Sequence, residues 1–142
     1  MPNDKISNNF YRVSIKALII NEDKILLIQE ADGRWELPGG GLNYNETINQ
    51  ALKRELKEEF GATVNKVDKN PIYIWTQERE KKGLKYHCLF LGYRVQLKKF
   101  KFRESAEAIN YGFFNKKEMD KINLHVNLLN FYKIFNQLDF KL

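Results

Sequence analysis

The stretch that decides the fold is WELPGGGLNYNETINQALKRELKEEFGA, residues Trp35–Ala62. Its second half predicts a helix from Asn45 to Phe60, with Asn45 as the N-cap and Gly61 as the left-handed residue that ends it. At about 100° per residue, the aliphatic and aromatic side chains of this segment fall on one face. We therefore expect the helix to pack on the core through that face.

Three glutamates interrupt the apolar face of this predicted helix. Glu55 and Glu59 fall within the face and Glu58 falls on its edge, and spacings of three and four residues bring their side chains together. Like charges at this spacing cost about 0.2–0.5 kcal/mol per pair, so we expect a cation that offsets the repulsion. The alternative is that these residues form an ordinary solvated face of a charged helix.

A glycine-rich turn leads into the helix. Pro38 favours an extended Leu37, and the three glycines Gly39–Gly41 permit a tight bend with exposed backbone. A turn of this kind, opening onto a helix with clustered carboxylates, is a place where a divalent metal and a phosphate group can meet.

The spacing of these residues resembles the Nudix box of the Nudix (MutT-like) hydrolase family. Gly40, Glu46 and the run Arg54–Ala62 match its charged and glycine positions, and Trp35–Gly39 resembles the usual lead-in. Ala62 is smaller than the aliphatic residue often found there, which concerns packing rather than chemistry. The resemblance implies an α/β fold, an α/β/α sandwich with a mixed β-sheet, and it assigns no subfamily.

The resemblance also implies which residues bind metal. Glu55, Glu58 and Glu59 look like the family's metal ligands, joined by the backbone carbonyl of Gly39, and the ion would be Mg²⁺ or Mn²⁺. Arg54 and Glu46 are expected to hold the turn and the helix in register, with Arg54 orienting a neighbouring glutamate. The residues expected to support the box are Gly40, Glu46, Arg54 and Gly61.

The expected reaction is hydrolysis of a phosphoanhydride bond in a nucleoside diphosphate linked to another moiety, by metal-assisted attack of water on phosphorus. A loop glutamate before an aromatic strand resembles a later segment of the family, and Glu107 matches it best, with Glu104 second. The candidate catalytic residues are therefore Glu58, Glu59, Glu107 and Glu104. The general base is left open among Glu58, Glu107 and Glu104, and solvation of the loop is the alternative for the last two.

Three aromatic residues are weaker candidates for substrate binding. Trp35 lies beside the turn, and Tyr73 and Trp75 share one face of a predicted strand. Each could stack on a base, and for each the alternative is packing within the protein.

Two other classes of protein compete with the enzyme. A catalytically inactive Nudix-fold module that senses nucleotides would typically lack a glutamate of the box, and none is missing. The net charge of +6 and the pI near 9.3 suit a basic RNA-binding protein, but the sequence lacks an aromatic and basic motif such as RNP1. Because the box is acidic, the surplus of positive charge lies elsewhere, notably at Lys98, Lys99, Lys101 and Arg103, and lysines dispersed over the surface are the alternative to a field that attracts polyanions.

Length and composition indicate one domain over residues 1–142, and the resemblance implies that it is a Nudix domain. The single cysteine excludes an internal disulfide and suits the cytoplasm, and no apolar run is long enough to span a membrane. We expect a nucleotide-type small molecule as partner, no membrane, and nucleic acid only as a capped or 5′-phosphorylated RNA substrate. A homodimer stays open.

Hydrophobic patterns outside the box predict alternating strands and helices. The first two strands, Arg12–Ile20 and Lys24–Gln29, are expected to form a hairpin. Further strands are predicted at 63–67, 72–76, 85–97 and 110–114, with a charged connection at 77–84, and helices at 116–121 and 124–138.

Overall fold

Residues 9–140, which a computed structural model of the chain describes, form nine strands and three α-helices. The strands are β1 (Tyr11–Leu18), β2 (Ile20–Asn21), β3 (Lys24–Gln29), β4 (Trp35–Glu36), β5 (Gly39–Gly41), β6 (Val64–Val67), β7 (Tyr73–Lys81), β8 (Leu84–Leu97) and β9 (Asn110–Phe114). The helices are α1 (Ile48–Phe60), α2 (Lys116–Met119) and α3 (Leu129–Ile134). Short 3₁₀ turns at Val126–Leu128 and Gln137–Phe140 flank α3.

The strands form two sheets, and the longest strand, β8, lies at the centre of the first. On one side β8 pairs in parallel with β1, which in turn pairs antiparallel with β5. On the other side β7 and β6 both pair antiparallel with β8, one after the other along its length. In the second sheet β3 is central, with β9 on one side and β2 and β4 on the other. The first sheet contains both parallel and antiparallel pairs, so the predicted mixed β-sheet is confirmed.

Two apolar clusters fill the space on the two sides of the first sheet. One contains the buried face of α1 with residues such as Leu52, and the other contains residues of α2 and α3 such as Phe131. Strand β3 supplies both clusters, since Leu26 belongs to the first and Leu27 to the second. This layering is the α/β/α sandwich that was predicted.

The start of α1 differs from the prediction. The N-cap is Thr47, whose side chain accepts a hydrogen bond from the Gln50 N–H, while the Gln50 side chain accepts one from the Thr47 N–H. This reciprocal capping box is a recognisable sequence pattern and outcompetes Asn45, which lies in a left-handed turn with φ of 66°. The predicted end is confirmed, because Gly61 closes the helix with φ of 74°.

The predicted hairpin between the first two strands is wrong for most of its length. Strand β1 ends at Leu18, and only the two-residue β2 pairs with β3. The chain changes sheets at Ile19, which lies between β1 in the first sheet and β2 in the second. The apolar run Arg12–Ile20 therefore contributes strands to both sheets instead of forming one arm of a hairpin.

The charged segment at residues 77–84, predicted as a connection, is instead a long hairpin. Strand β7 continues to Lys81, where it pairs with Leu84 of β8. Lys82 and Gly83 form the two-residue turn with φ of 51° and 78°. Two consecutive positive φ values are typical of the tight turns that match the twist of paired strands.

The prediction of one long helix at 124–138 is also wrong, because helical structure is interrupted near both ends of that range. At its start Leu124 bridges to Trp35, and helical structure begins only at Val126. At Phe135 the backbone becomes extended with ψ of 129°, and the Asn136 N–H donates to the hydroxyl of Tyr73 at 3.2 Å.

No helix formed by residues 9–140 is long and apolar enough to cross a membrane.

The break at Phe135 gives different surroundings to two residues that lie three positions apart in the predicted helix at 124–138. Phe135 is fully buried, whereas Leu138 is 59% exposed. We expect Phe135→Ala to lower the free energy of unfolding by about 3–5 kcal/mol, because it leaves a cavity in the core. Leu138→Ala should change it by less than about 0.5 kcal/mol. Urea denaturation measures both, and equal losses would contradict the broken helix.

Candidate active site

Glu59 joins the end of α1 to the glycine turn. Its side chain is 5% exposed, and its Oε1 accepts a hydrogen bond of 2.7 Å from the Gly39 N–H. Burial raises the pKa of this carboxyl well above its ordinary value, against the lowering effects of Lys16 and of the Gly39 N–H. Two more carboxylates, Glu55 and Glu107, raise the pKa further. The end of α1 therefore holds a buried carboxylate that interacts with one lysine and with two other carboxylates.

The glycine turn lies so close to β1 and α1 that Gly39 and Gly40 leave no room for side chains. Gly39 has φ of +125°, and a Cβ there would come within 2.1 Å of the Ile15 carbonyl oxygen. A Cβ on Gly40 would come within 2.7 Å of the Glu55 carboxylate. Gly40 thus allows the Glu55 side chain to lie directly against the backbone of the turn.

Arg54 is the cation that the clustered glutamates require. Its guanidinium binds Glu46 through two contacts, Nε to Oε2 at 2.7 Å and Nη2 to Oε1 at 2.9 Å. Its Nη1 contacts Glu55 at 2.8 Å and Glu58 at 3.4 Å, and its Nη2 donates to the Gly41 carbonyl at 3.2 Å. The hydrogen bond from Arg54, followed by that from Asn43, lowers the pKa of Glu46 to about 2. These contacts fasten the turn to the helix and orient Glu55.

A polar cavity of about 500 Å³ opens beside Glu59. We call it the central cavity, and it lies where the two sheets and the loop before β9 meet. Its polar lining residues are Lys16, Glu30, Asp32, Glu36, Gly39, Glu59, Glu107, His125 and Asn127. Five of these carry carboxylates, so a bound polyanion would need added positive charge.

Lys16 is a functional candidate that the sequence reasoning missed. It is 4% exposed, and its Nζ lies 3.4 Å from the carbonyl oxygens of Leu37 and Gly39 and 3.8 Å from the Glu36 carboxylate. A lysine within the apolar run of β1 breaks the pattern as the glutamates do in α1, and that interruption was the available signal. Lys16 thus brings a buried positive charge to the edge of the central cavity.

His125 and Asn127 were also missed. Asn127 Nδ2 donates to Glu36 Oε2 at 2.8 Å, and the Asn127 N–H donates to His125 Nδ1 at 3.0 Å. Burial, only partly opposed by Glu30, lowers the pKa of His125 to about 4, so the imidazole is neutral at pH 7. No motif links Glu36 to residues some 90 positions later, and only the tertiary structure brings them together.

The two loop glutamates are separated by the structure. Glu107 lines the central cavity together with Glu59. Glu104 is exposed and does not line the cavity. The Ser105 side chain holds this loop on α1 by donating to the Glu59 carbonyl oxygen.

The predicted metal ligands are not all directed inward. Glu59 is buried, whereas the Glu58 side chain is 54% exposed and contacts Arg54. Over residues 9–140, no three carboxylate, imidazole or thiol groups converge closely enough to enclose an ion. The donor chemistry nevertheless suits a hard divalent cation, because Glu55, Glu59 and Glu107 are oxygen donors whose mutual repulsion such an ion would relieve. Binding would require Glu55 or Glu58 to exchange its contact with Arg54.

The aromatic candidates lie away from the cavity lining. Tyr73 and Trp75 are 7% and 5% exposed and belong to the second core cluster, and the Trp75 ring stacks on Phe90. Their position favours the packing alternative. Trp35 is half-buried against the edge of Phe114, with ring centroids 4.9 Å apart.

A family model described as NUDIX domain matches residues 10–133 of the chain. The chain is 36% identical over 74 residues to a MutT-like protein of Streptomyces ambofaciens, an alignment that covers 51% of this chain and 48% of that protein. It is 40% identical over 60 residues to an RNA pyrophosphohydrolase of Histophilus somni, which covers 41% of this chain and 31% of that protein. The chain thus spans less than half the length of either relative.

The fold is similar to that of a MutT protein from Methanosarcina mazei, with a TM-score of 0.71 and 23% sequence identity. The superposition covers 96% of this chain and all of that protein. At this identity the likeness supports the α/β fold alone. The single domain over residues 1–142 stays a prediction.

The low pKa of His125 generates a testable pH dependence. The unfolded chain binds a proton at His125 below its ordinary pKa of 6.5, whereas the folded chain binds it only near 4, so unfolding becomes more favourable as pH falls through this window. His125→Gln should therefore lose less stability between pH 7 and pH 5 than the unaltered protein. With an allowance for screening by solvent, we expect a difference of about 1 kcal/mol. Urea unfolding at both pH values measures it, and identical losses would contradict a neutral His125.

Proposed function

The chain belongs to the NUDIX family, and from this membership we propose that it is a pyrophosphohydrolase. It would hydrolyse a phosphoanhydride bond in a nucleoside diphosphate linked to another group, with Mg²⁺ or Mn²⁺ as the metal. The observation that carries this proposal is Glu59, a carboxylate kept at 5% exposure beside an open polar cavity. A buried charge of this kind costs free energy, which favours a chemical rather than a packing role.

Members of this family generally use divalent metals. In this chain Glu59, Glu55, Glu58 and the Gly39 carbonyl would hold the ion, which when bound would neutralise phosphate oxygens and lower the pKa of water. Arg54 supports this assignment, because it already contacts Glu55 and Glu58 and can retain Glu46 as its partner when they turn to a metal.

The remaining residues of the central cavity would bind the diphosphate and move a proton. Lys16 supplies a positive charge beside the Gly39 carbonyl, where it can neutralise a phosphate oxygen. Glu107 is the preferred general base, because it lines the cavity opposite Glu59 and has no ion-pair partner among residues 9–140. Glu58 is less suited to that role while its carboxylate contacts Arg54.

The substrate class is a nucleotide-type molecule, and its remaining moiety stays open. The relatives differ in the activities that their names state, one being an RNA pyrophosphohydrolase and another, from Homo sapiens, an 8-oxo-dGDP phosphatase. An inactive sensing module is the alternative, and the complete set of box glutamates argues against it. A homodimer stays a prediction.

Glu59→Gln should separate activity from stability. The amide can still accept the Gly39 N–H bond but carries no charge, so we expect metal-dependent turnover to fall by about 100-fold or more. Stability at pH 7 should stay equal or rise, because the raised pKa of Glu59 means that its ionised form opposes folding. Release of phosphate from a panel of nucleoside diphosphate derivatives with Mg²⁺, Mn²⁺ or EDTA measures turnover. Urea unfolding at pH 7 measures stability.

Turnover of Glu59→Gln at the unaltered rate would refute the role of this carboxylate. Hydrolysis of no panel member by the unaltered protein would favour the sensing module instead. The exposed Glu22→Gln serves as the matched control for the loss of one carboxylate.

The two loop glutamates provide a second matched pair. Glu107→Gln should lower kcat by about 100-fold, since a positioned base typically contributes a factor of 10²–10⁴. Glu104→Gln makes the same change of charge three residues earlier, at an exposed residue that does not line the cavity, and its kcat should stay within about twofold. Steady-state kinetics on the best panel substrate measure both variants, and a larger loss in Glu104→Gln would reverse the assignment.

A further inference from the structure

A second hollow lies at the N-terminus of α1, at the opposite end of this helix from Glu59. It measures about 530 Å³, and we call it the α1 hollow. Its lining comes from the first turn of α1, from the end of β6 with the loop that follows, and from Tyr93 of β8. Ile48 and Glu59 are eleven residues apart on the helix, or about 16 Å. No described residue lines both the α1 hollow and the central cavity.

Two backbone donors at the start of α1 have no acceptor. The N–H groups of Thr47 and Gln50 are satisfied by each other's side chains in the capping box. The N–H groups of Ile48 and Asn49 form no hydrogen bond with another residue between 9 and 140, and both residues line the α1 hollow. Free N–H groups at this end of a helix, together with the helix dipole, favour a bound anion.

The protein does not supply this negative charge from the first turn of the helix. That turn of α1 contains no acidic residue, whereas the short α2 has Glu118 at the same place. Glu46 lies just before the N-cap, but its carboxylate already binds the Arg54 guanidinium and the Asn43 N–H. An anion bound in the α1 hollow would therefore complete the start of the helix.

The hydroxyl of Tyr93 is a further donor without a partner. Tyr93 is 6% exposed and belongs to the core cluster beneath α1, and it also lines the α1 hollow. Its hydroxyl forms no hydrogen bond with another described residue and is not sealed from the hollow, whereas the buried Tyr73 binds Asn136 and Asp139 through its hydroxyl. Because hydroxyl groups of buried tyrosines usually have a partner, this arrangement favours a ligand with acceptor oxygens.

Two lysines give the α1 hollow a positive charge. Lys66 lies on β6 and Lys69 lies in the loop after it, and both are exposed. Neither lysine forms an ion pair with another residue in the described part of the chain. Asp68 is the one acidic residue among the described residues of the lining, so two cations face one carboxylate. The lining as a whole therefore attracts an anion.

Asp68 restricts which anion fits. Its carboxylate is half-buried and would repel a ligand that presents only acceptor oxygens. Hydrogen phosphate keeps one proton at pH 7, so its hydroxyl can donate to Asp68 while its remaining oxygens accept hydrogen bonds. Sulfate has no proton to donate. A phosphate monoester is mostly without one at pH 7, because its second pKa is about 6.

We propose that the α1 hollow is a binding site for inorganic hydrogen phosphate. The phosphate oxygens accept hydrogen bonds from the N–H groups of Ile48 and Asn49, from the Tyr93 hydroxyl and from the two lysines. The phosphate hydroxyl donates to Asp68. The site is separate from the central cavity, so it does not depend on the proposed function. Bound phosphate stabilises the start of the helix whose other end carries Glu59.

Amide chemical shifts locate the bound phosphate. In a titration of the full chain with inorganic phosphate, at pH 7 in EDTA and at constant ionic strength, the amide resonances of Ile48 and Asn49 should shift to saturation. The shifts give the dissociation constant at this end of α1. Shifts confined to amides of the central cavity, such as those of Gly39 and Glu107, would overturn the proposal, as would the absence of saturation at Ile48 and Asn49.

The Tyr93 hydroxyl is tested by removing one oxygen atom. Tyr93→Phe should weaken phosphate binding at the Ile48 and Asn49 amides about tenfold, because a hydrogen bond to a charged ligand is lost. Without phosphate its urea midpoint should stay unchanged, since the hydroxyl has no partner to lose. Tyr86→Phe makes the same change in the β7–β8 hairpin and should alter phosphate affinity less than about twofold. Unaltered affinity in Tyr93→Phe overturns the proposal.

A pair of lysine variants separates this site from a general attraction of anions. Lys66→Ala with Lys69→Ala should weaken phosphate binding about fivefold. Lys81→Ala with Lys82→Ala removes the same charge at exposed residues of the hairpin tip, about 30 Å along β8 from Tyr93, and should change it less than about twofold. Equal losses in the two double variants would show unspecific attraction and overturn the site.

Competing anions test the role of Asp68. The unaltered protein should bind sulfate and glycerol 2-phosphate about tenfold more weakly than inorganic phosphate at the Ile48 and Asn49 amides, because neither supplies the donated hydroxyl. Asp68→Asn should bring sulfate and phosphate within about twofold of each other, because the repulsive carboxylate is removed. Equal affinities of the unaltered protein for phosphate and sulfate would overturn hydrogen phosphate as the ligand. Tighter binding of glycerol 2-phosphate would do so in favour of a phosphate monoester.

Discussion

The hydrogen bond between the Glu59 carboxylate and the Gly39 N–H is the contact on which the site depends. It ties the last turn of α1 to a backbone segment that only glycine can form, since a Cβ on Gly39 would overlap the Ile15 carbonyl oxygen. Burial opposes ionisation of this carboxyl, and the nearby Lys16 only partly compensates. The protein thus keeps a costly buried acid at one fixed point, as expected where chemistry rather than stability determines the residue.

Arg54 controls how the other glutamates are arranged. Its two contacts with Glu46 leave Nη1 to hold Glu55 and Glu58, so one guanidinium balances three carboxylates. Hydrogen bonding to Glu46, against the effect of burial, raises the pKa of Arg54 above its ordinary value, and its charge is permanent. A divalent ion held by these glutamates would therefore compete with Arg54 for the same oxygens. The contacts with Arg54 explain how neighbouring glutamates can be tolerated without a metal ion.

Opposite charges are sorted onto separate surfaces by the strands. The central cavity is mainly acidic, whereas the hollow at the tip of the β7–β8 hairpin is lined by the cations Arg12, Lys81 and Lys82. The net charge of +6 by itself does not distinguish dispersed lysines from a binding surface. The alternation of Arg79 and Lys81 with Glu78 and Glu80 places the basic side chains on one face of β7 and the acidic side chains on the other.

The sequence by itself determined the end of α1 at Gly61, the carboxylates of the box and the long strand β8, because local spacing and apolar periodicity encode these features. It also contained the capping box at Thr47, which helix periodicity alone does not reveal. Only the tertiary structure decided that β1 pairs with β8, that the last helix breaks where Tyr73 binds Asn136, and that Lys16, Glu36 and Asn127 meet. The physical reason is that these contacts join residues 20 to about 90 positions apart, and their free energy depends on packing between elements rather than on neighbours along the chain.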